Sequence, residues 1–243
     1  MAQAFGERNR VIAAVIGLFF LFEGLANPIL AAAFGFDVAA AGHFGSLLDR
    51  GAGAAELLRW GALLDLGGYL AFGLVILYIG QRLWQRDRLV VAALTLSGLA
   101  AILVGAVGAV LIAIVGPWLI LDYGAASPGD REASRLMLDA LGRGVVAGLW
   151  GALEFLLLGA WLGGVGWLFR RSWPRFGWLA LAGAAGMLAT GLRTAVTGRI
   201  IPEVAGPVDL LIVLGIVAAL LSWFAWMVWL AIRLWRAPLA GTG

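Results

Sequence analysis

Long apolar segments alternate with short polar stretches along this chain, and the apolar segments number six. A helix that crosses a membrane needs about 20 mostly apolar residues, because each residue adds about 1.5 Å and the hydrocarbon layer is about 30 Å thick. All six segments meet this requirement. The pattern predicts an all-α polytopic bundle, one integral membrane domain over residues 1–243, with transmembrane spans at 11–34, 57–80, 89–121, 142–169, 176–198 and 207–232.

Composition agrees with a membrane protein and excludes several kinds of chemistry. The chain is 63% hydrophobic and 13% charged, whereas a soluble domain has about 45–50% apolar and about 25% charged residues. It has no cysteine, which excludes disulfides, thiolate metal sites and iron–sulfur clusters. Its one histidine, His43, cannot supply two haem ligands, and the absence of lysine excludes Schiff-base chemistry. We therefore expect no cofactor and no metal site.

The positions of the arginines predict the orientation in the membrane. Cytoplasmic loops of membrane proteins carry an excess of basic residues, and here ten arginines fall on one side of the predicted spans: Arg8, Arg10, Arg82, Arg86, Arg88, Arg170, Arg171, Arg175, Arg233 and Arg236. Both termini should therefore be cytoplasmic. Basic residues that are all arginine, together with many Ala and Gly residues, are typical of a GC-rich bacterial genome, so we expect the bacterial cytoplasmic membrane. This basic surface suits anionic membrane lipids and does not indicate nucleic-acid binding.

Two external loops carry predicted structure of their own. Residues 35–56 are apolar enough to form a short helix on the membrane surface. The Ser-Pro-Gly-Asp stretch at 127–130 is typical of a helix start, so the fourth helix should begin outside the bilayer. Gly142 and Gly144 suggest a break where that helix enters the membrane, and residues 200–207 suggest an external turn.

The two halves of the chain contain similar segments in the same order. They are 17–23 with 148–154, 68–80 with 186–198, and 94–103 with 211–220. Because each half has three spans, such halves would have inverted topologies, a layout common in secondary transporters. The alternative is chance similarity in a chain rich in small residues, which recur at helix contacts for packing reasons alone.

Two glutamates lie inside apolar spans, where a charge is costly. Glu23 lies near the middle of the first span and Glu154 near the middle of the fourth. A charged side chain at the centre of a membrane helix costs about 2.5–3.5 kcal/mol on insertion scales, so such residues are expected to be protonated, paired or functional. Asn27 lies one turn beyond Glu23, and Pro28 leaves the carbonyl of Gly24 without its helical donor.

Three further polar residues lie nearer the outer ends of their spans, and two interpretations of the whole set remain open. Asp65 and Tyr69 share a face of the second span, and Arg193 lies in the fifth. In the first interpretation Arg193 pairs with an acid and the network only stabilises the bundle. In the second, the polar residues form a binding site that opens outward. The candidate ligand-binding residues are Glu23, Asn27, Asp65, Tyr69, Glu154 and Arg193.

The sequence contains no catalytic constellation, because no candidate nucleophile has a base partner nearby and the carboxylates lack the tight spacing of a metal site. The leading hypothesis is a membrane protein that binds or transports a small cation, a proton-coupled solute or an amphiphile. Two alternatives stay open. The protein could be an accessory or assembly subunit that contacts a membrane-protein partner, or a lipid-modifying intramembrane enzyme. The lack of a nucleophile–base pair favours a role other than catalysis.

One stretch resembles a known family. Within residues 149–192, a helix rich in Gly, Trp and Leu leads into an Arg-Ser turn with Pro, Arg and Gly, followed by a Gly-rich apolar helix. This pattern resembles a family of bacterial six-helix membrane proteins known only as a domain of unknown function, with a shorter spacing between Ser and Pro here. The matching positions are Arg171, Ser172, Pro174, Arg175 and Gly177. The resemblance implies a six-helix membrane fold and carries no established activity.

Overall fold

The computed structural model describes residues 2–36, 43–198 and 207–236, and this part of the chain contains no β-strand. Its α-helices are α1 (Ala2–Ala33), α2 (Gly51–Leu83), α3 (Arg88–Ala125), α4 (Pro128–Gly142), α5 (Phe155–Phe169), α6 (Pro174–Thr197) and α7 (Pro207–Arg236). A 3-10 helix, Phe44–Arg50, precedes α2, and a π-helix, Arg143–Glu154, joins α4 to α5.

Six helical stretches of the described chain are long and apolar enough to cross a membrane, which confirms the predicted all-α six-helix bundle. They run over Glu7–Ala33, Phe44–Leu83, Arg88–Ala125, Pro128–Phe169, Pro174–Thr197 and Val213–Arg236. The second and fourth begin well before the predicted spans, because the 3-10 helix and α4 extend them beyond their apolar segments.

Side-chain caps explain where two of the helices begin. The hydroxyl of Ser127 accepts a hydrogen bond from the backbone N–H of Asp130 at 3.4 Å, and Pro128 occupies the first turn of α4. The carboxylate of Asp87 accepts one from the backbone N–H of Val90 at 3.1 Å at the start of α3. Each cap satisfies a donor that the first helical turn leaves unpaired. The fourth helix thus begins at Pro128, ahead of its apolar segment, and its position outside the bilayer stays a prediction.

The loop predicted to form a surface helix, 35–56, contains the 3-10 helix and the first residues of α2. Its residues 37–42 lie outside the described residues, as does the predicted turn at 200–207 except for its last residue. The backbone N–H of Gly45 donates to the carboxylate of Asp139 at 2.7 Å. This bond ties the 3-10 helix to α4, so the two short helices pack as one unit.

The helices pack in chain order and close into a ring. α1 packs on α2, α2 on α3, α3 on the π-helix and α5, α5 on α6, and α6 on α7, while α7 returns to α1. One end of the bundle therefore holds the start of α1, the α2–α3 and α5–α6 turns and the end of α7; we call it the arginine-rich end. The opposite end holds the 3-10 helix and α4.

The apolar interior consists of two separate cores. The core toward the arginine-rich end includes Phe19, Phe72, Trp161, Phe176 and Trp226. The core toward the opposite end includes Phe34, Leu47, Leu58, Ile112 and Leu138. Along α1, α2 and the π-helix–α5 segment, the change from one core to the other falls where the sequence places its intramembrane acids.

Candidate functional site

Five of the six predicted site residues meet between the two apolar cores. Glu23 and Asn27 come from α1, Asp65 and Tyr69 from α2, and Glu154 is the last residue of the π-helix. We call this set the polar cluster. Its members are far apart in the sequence, and the packing of α1 and the π-helix region around α2 brings them together.

Hydrogen bonds connect the cluster in two groups. The amide of Asn27 donates to the backbone carbonyl of Glu23 at 2.9 Å and to its carboxyl Oε2 at 3.3 Å. The carboxyl groups of Glu23 and Asp65 are near neighbours that interact electrostatically. The phenol of Tyr69 donates to Oε2 of Glu154 at 2.8 Å. Two neighbouring carboxyl groups repel each other when both are ionised, so the cluster can hold an exchangeable proton.

The cluster is buried at the centre of the bundle and reaches the outer surface of α1. Glu154 is only 8% exposed, and the side chains of Glu23, Asp65 and Tyr69 are half-buried. Asn27 is exposed on the surface of α1. The polar groups therefore extend from the centre of the bundle to the α1 surface, and the most accessible of them is an amide.

Glycines make room for two of the cluster side chains. A Cβ atom at Gly68 would overlap the carboxyl of Glu23, and one at Gly105 would overlap the ring of Tyr69. Glu23 therefore lies directly against the backbone of α2, and Tyr69 against that of α3. Close approach of this kind is what small residues permit at contacts between membrane helices.

A tryptophan closes the cluster toward the opposite end. The indole N–H of Trp150, one turn before Glu154 in the π-helix, donates to the backbone carbonyl of Gly105 at 3.0 Å. The indole also fills the space beside Gly108, where a Cβ atom would overlap its ring nitrogen. Trp150 thereby holds the π-helix against α3 beside the ring of Tyr69.

The chemistry of the cluster is acidic and suited to holding protons. Among the described residues, the ion pairs Arg59–Glu56 and Arg135–Asp49 lie elsewhere. Across the same residues, no group of three or more acidic or histidine side chains is arranged to hold a metal ion. The cluster can exchange a proton, accept hydrogen bonds from a cationic group, or do both.

Arg193, the sixth predicted residue, lies near the C-terminal end of α6. Its side chain is half-buried and interacts with another group of the protein. Its neighbour Thr190 bonds within the helix, since the hydroxyl donates to the carbonyl of Gly186 at 2.8 Å. The hydroxyl of Thr194 is buried and has no hydrogen-bond partner among the described residues. The polar cluster is thus defined by the other five residues.

The π-helix is the feature that sequence reasoning missed. The only signal for it is the pair Gly142 and Gly144, interpreted as a break, and the π-helix begins between them at Arg143. In a π-helix each backbone hydrogen bond joins residues i and i+5. π-Helices are rare, and those that occur are often found at functional sites. Here the π-helix ends at Glu154, where the N–H of Phe155 bonds to the carbonyl of Ala152 as the helix tightens again.

Comparisons of this chain with protein-family models, with curated proteins and with solved structures give no match. The resemblance of residues 149–192 to a family of unknown function stays a prediction. The features of this molecule that bear on its function are therefore the polar cluster and the surface of the bundle.

Proposed function

We propose that this protein binds a small monovalent or organic cation at the polar cluster and exchanges it for a proton, as a step in transport across a bacterial cytoplasmic membrane. One observation carries the proposal. Three carboxyl groups from three separate helical elements converge between two apolar cores, with a phenol and an amide as their hydrogen-bond partners. Ionisable groups at this depth are costly to keep and are functional by default in membrane proteins.

The proposed exchange takes place between α1 and α2, beside Asn27. A cation bound there meets the carboxyl groups of Glu23 and Asp65. The shared proton leaves to water, and the resulting carboxylate binds the cation, so that the net charge of the site does not change. Glu154, held by Tyr69, lies deeper and accepts the cation or a proton in the next step. Electroneutral exchange avoids the cost of an uncompensated charge in hydrocarbon.

The number of acceptor groups on the α1 side directs the proposal toward monovalent and organic cations. Divalent calcium needs about six to eight oxygen ligands at short distances, whereas an ammonium group, with three N–H donors, needs two or three hydrogen-bond acceptors. The amide of Asn27 and the carboxyl of Glu23 offer such acceptors where the cluster reaches α1. A cation of this kind matches what these side chains can supply.

The proposal is tested with Glu23→Gln and Glu154→Gln, with Glu132→Gln as the matched control because Glu132 is an exposed acid on α4. Purified protein in a weakly buffered detergent solution receives Na⁺, K⁺, methylammonium or tetraphenylphosphonium, and proton release and binding are measured. A hydrogen bond to a charged group contributes about 1.5–3 kcal/mol, so each cluster variant should weaken binding of the active probe by about 10-fold or more.

In the control variant, both binding and proton release should match the wild-type protein. Size-exclusion profiles show whether the Gln variants fold. The proposal fails if none of the four probes releases protons from the wild-type protein, or if well-folded Gln variants bind as tightly as it does.

A further inference from the structure

A second polar site lies at the arginine-rich end, away from the polar cluster. A cavity of about 800 Å³ opens there between α1, α2, the α5–α6 turn and α7. Pockets that hold small molecules have volumes of about 300–1,000 Å³. Among the described residues that line this cavity, four are arginines and none is acidic; the arginines are Arg82, Arg86, Arg233 and Arg236.

Hydrogen bonds hold two of these guanidinium groups at the cavity wall. The Nε–H of Arg82 donates to the hydroxyl of Tyr78 at 2.8 Å, and a terminal N–H of Arg82 donates to the Oδ1 atom of Asn9 at 2.7 Å. Tyr78 in turn donates to the same Asn9 oxygen at 2.5 Å. Asn9 is 8% exposed, so Arg82 is oriented by a buried network.

Arg86 is fixed in a similar way on the other side of the cavity. Its guanidinium donates to the carbonyl of Leu168 and, at 2.9 Å, to the hydroxyl of Ser172. It also lies 5.4 Å from the centre of the Phe169 ring. These contacts attach the end of α2 to the α5–α6 turn and present a positive charge to the cavity.

The rest of the lining is mostly apolar and aromatic. It includes Phe169, Trp173, Phe176, Trp229, Leu230 and Leu234. A free inorganic anion would make no use of these walls. A molecule with both a negative headgroup and an apolar part would contact arginines and apolar side chains together.

We propose that this cavity binds the phosphate-bearing headgroup of an anionic amphiphile, and that the membrane phospholipids supply it. Guanidinium groups bind phosphate oxygens through pairs of parallel hydrogen bonds. Basic pockets between membrane helices on the cytoplasmic side are suited to acidic lipid headgroups. The phosphate lies between Arg82 and Arg233, and the apolar part lies against α7.

The test measures binding by native mass spectrometry of the full-length protein in detergent. The probes are dioleoyl phosphatidylglycerol, dioleoyl phosphatidylcholine with the same acyl chains, and glycerol 3-phosphate as the headgroup alone. The anionic lipid should bind at least 10-fold more tightly than the zwitterionic one. Arg82→Gln and Arg233→Gln should each weaken that binding by about 5-fold, since a basic residue near the surface contributes about 1 kcal/mol.

Arg171→Gln is the matched control, because Arg171 lies in the α5–α6 turn at the same end and does not line the cavity. It removes the same charge and should change binding by less than about twofold. Arg233→Gln keeps the test valid if Arg82→Gln unfolds the protein, since Arg233 is exposed at the end of α7.

Each possible result either supports or overturns the proposed phosphate site. Glycerol 3-phosphate binding as tight as that of the lipid would support the phosphate site and identify a soluble ligand as its source. Equal binding of the two lipids would overturn the proposal. So would an equal loss in Arg171→Gln and Arg233→Gln, because it would show a diffuse surface charge in place of a site.

Discussion

Gly105 shows how a single missing side chain determines the geometry of the polar cluster. The ring of Tyr69 lies where a Cβ atom at Gly105 would be, and the carbonyl of Gly105 accepts the indole N–H of Trp150 at 3.0 Å. The position of the phenol that donates to Glu154 therefore depends on a residue of α3 that has no side chain.

Replacing Gly105 by Ala should displace the Tyr69 ring and break its hydrogen bond to Glu154. Overpacking of this kind costs about 1–3 kcal/mol of unfolding free energy, measured by denaturation in mixed micelles. Gly124→Ala, in the same helix, is the control because a Cβ atom there would meet no described residue outside its own helical turn within 4 Å. It should be neutral or stabilise the protein by up to about 1 kcal/mol. Equal stability of the two variants would show that Tyr69 is not held by α3.

Residue patterns predict which polar groups share a depth, and they do not predict how these groups pair. Glu23 and Glu154 are recognisable because each interrupts an apolar span. The bond between Tyr69 and Glu154 depends on the angle at which the π-helix presents its last residue. That angle follows from packing between distant segments, so it leaves no local signal in the sequence.

At the scale of helices, the six spans follow from apolar length alone, and the π-helix does not. An apolar segment of sufficient length must be helical in a membrane, because its backbone groups have no other partners there. The free-energy difference between i to i+4 and i to i+5 hydrogen bonding is smaller than the cost of leaving those backbone groups unpaired. Tertiary contacts, such as the hydrogen bond from Trp150 to the carbonyl of Gly105, contribute to the choice between the two patterns.

Amide exchange should distinguish the π-helix from its neighbour. The π-helix, Arg143–Glu154, packs against α3. Trp150 bonds to the carbonyl of Gly105, and the carbonyl of Leu157 accepts from Ser97, so 150–155 and 98–105 lie at one depth. Because the π-helix changes its hydrogen-bond pattern at Phe155, we expect its last turn to open more often than α3. Hydrogen–deuterium exchange of the protein in lipid nanodiscs should show faster exchange at 150–155 than at 98–105. Equal protection of the two would indicate a rigid π-helix.

For the whole molecule, an even number of spans places the two ends of the described chain on the same side of the membrane. The arginines predict that this is the cytoplasmic side. Six spans return the end of α7 to the side where α1 begins. The side that faces the cytoplasm depends on charge, and the excess of arginine at one end predicts that this end is inside. The repeat of the two halves stays a prediction, although Glu23 and Glu154, its matching acids, belong to one cluster.

Orientation can be measured with single cysteines, since the chain has none of its own. Gln85→Cys places a thiol in the exposed α2–α3 turn at the arginine-rich end, and Ala133→Cys places one on exposed α4 at the opposite end. In intact bacterial cells, a membrane-impermeant maleimide should label only Ala133→Cys. Both variants should be labelled after the membrane is opened. Labelling of Gln85→Cys in intact cells would reverse the assigned orientation.

The division of the interior into two cores has a consequence for the contacts between helices. Dispersion contacts hold each half of the bundle together, whereas carboxyl, phenol and amide groups lie at the level between them. Adding or removing a proton there would alter the contacts between α1, α2 and the π-helix and leave both apolar cores in place. The level of the polar cluster is therefore where a change of pH would act on the packing between helices.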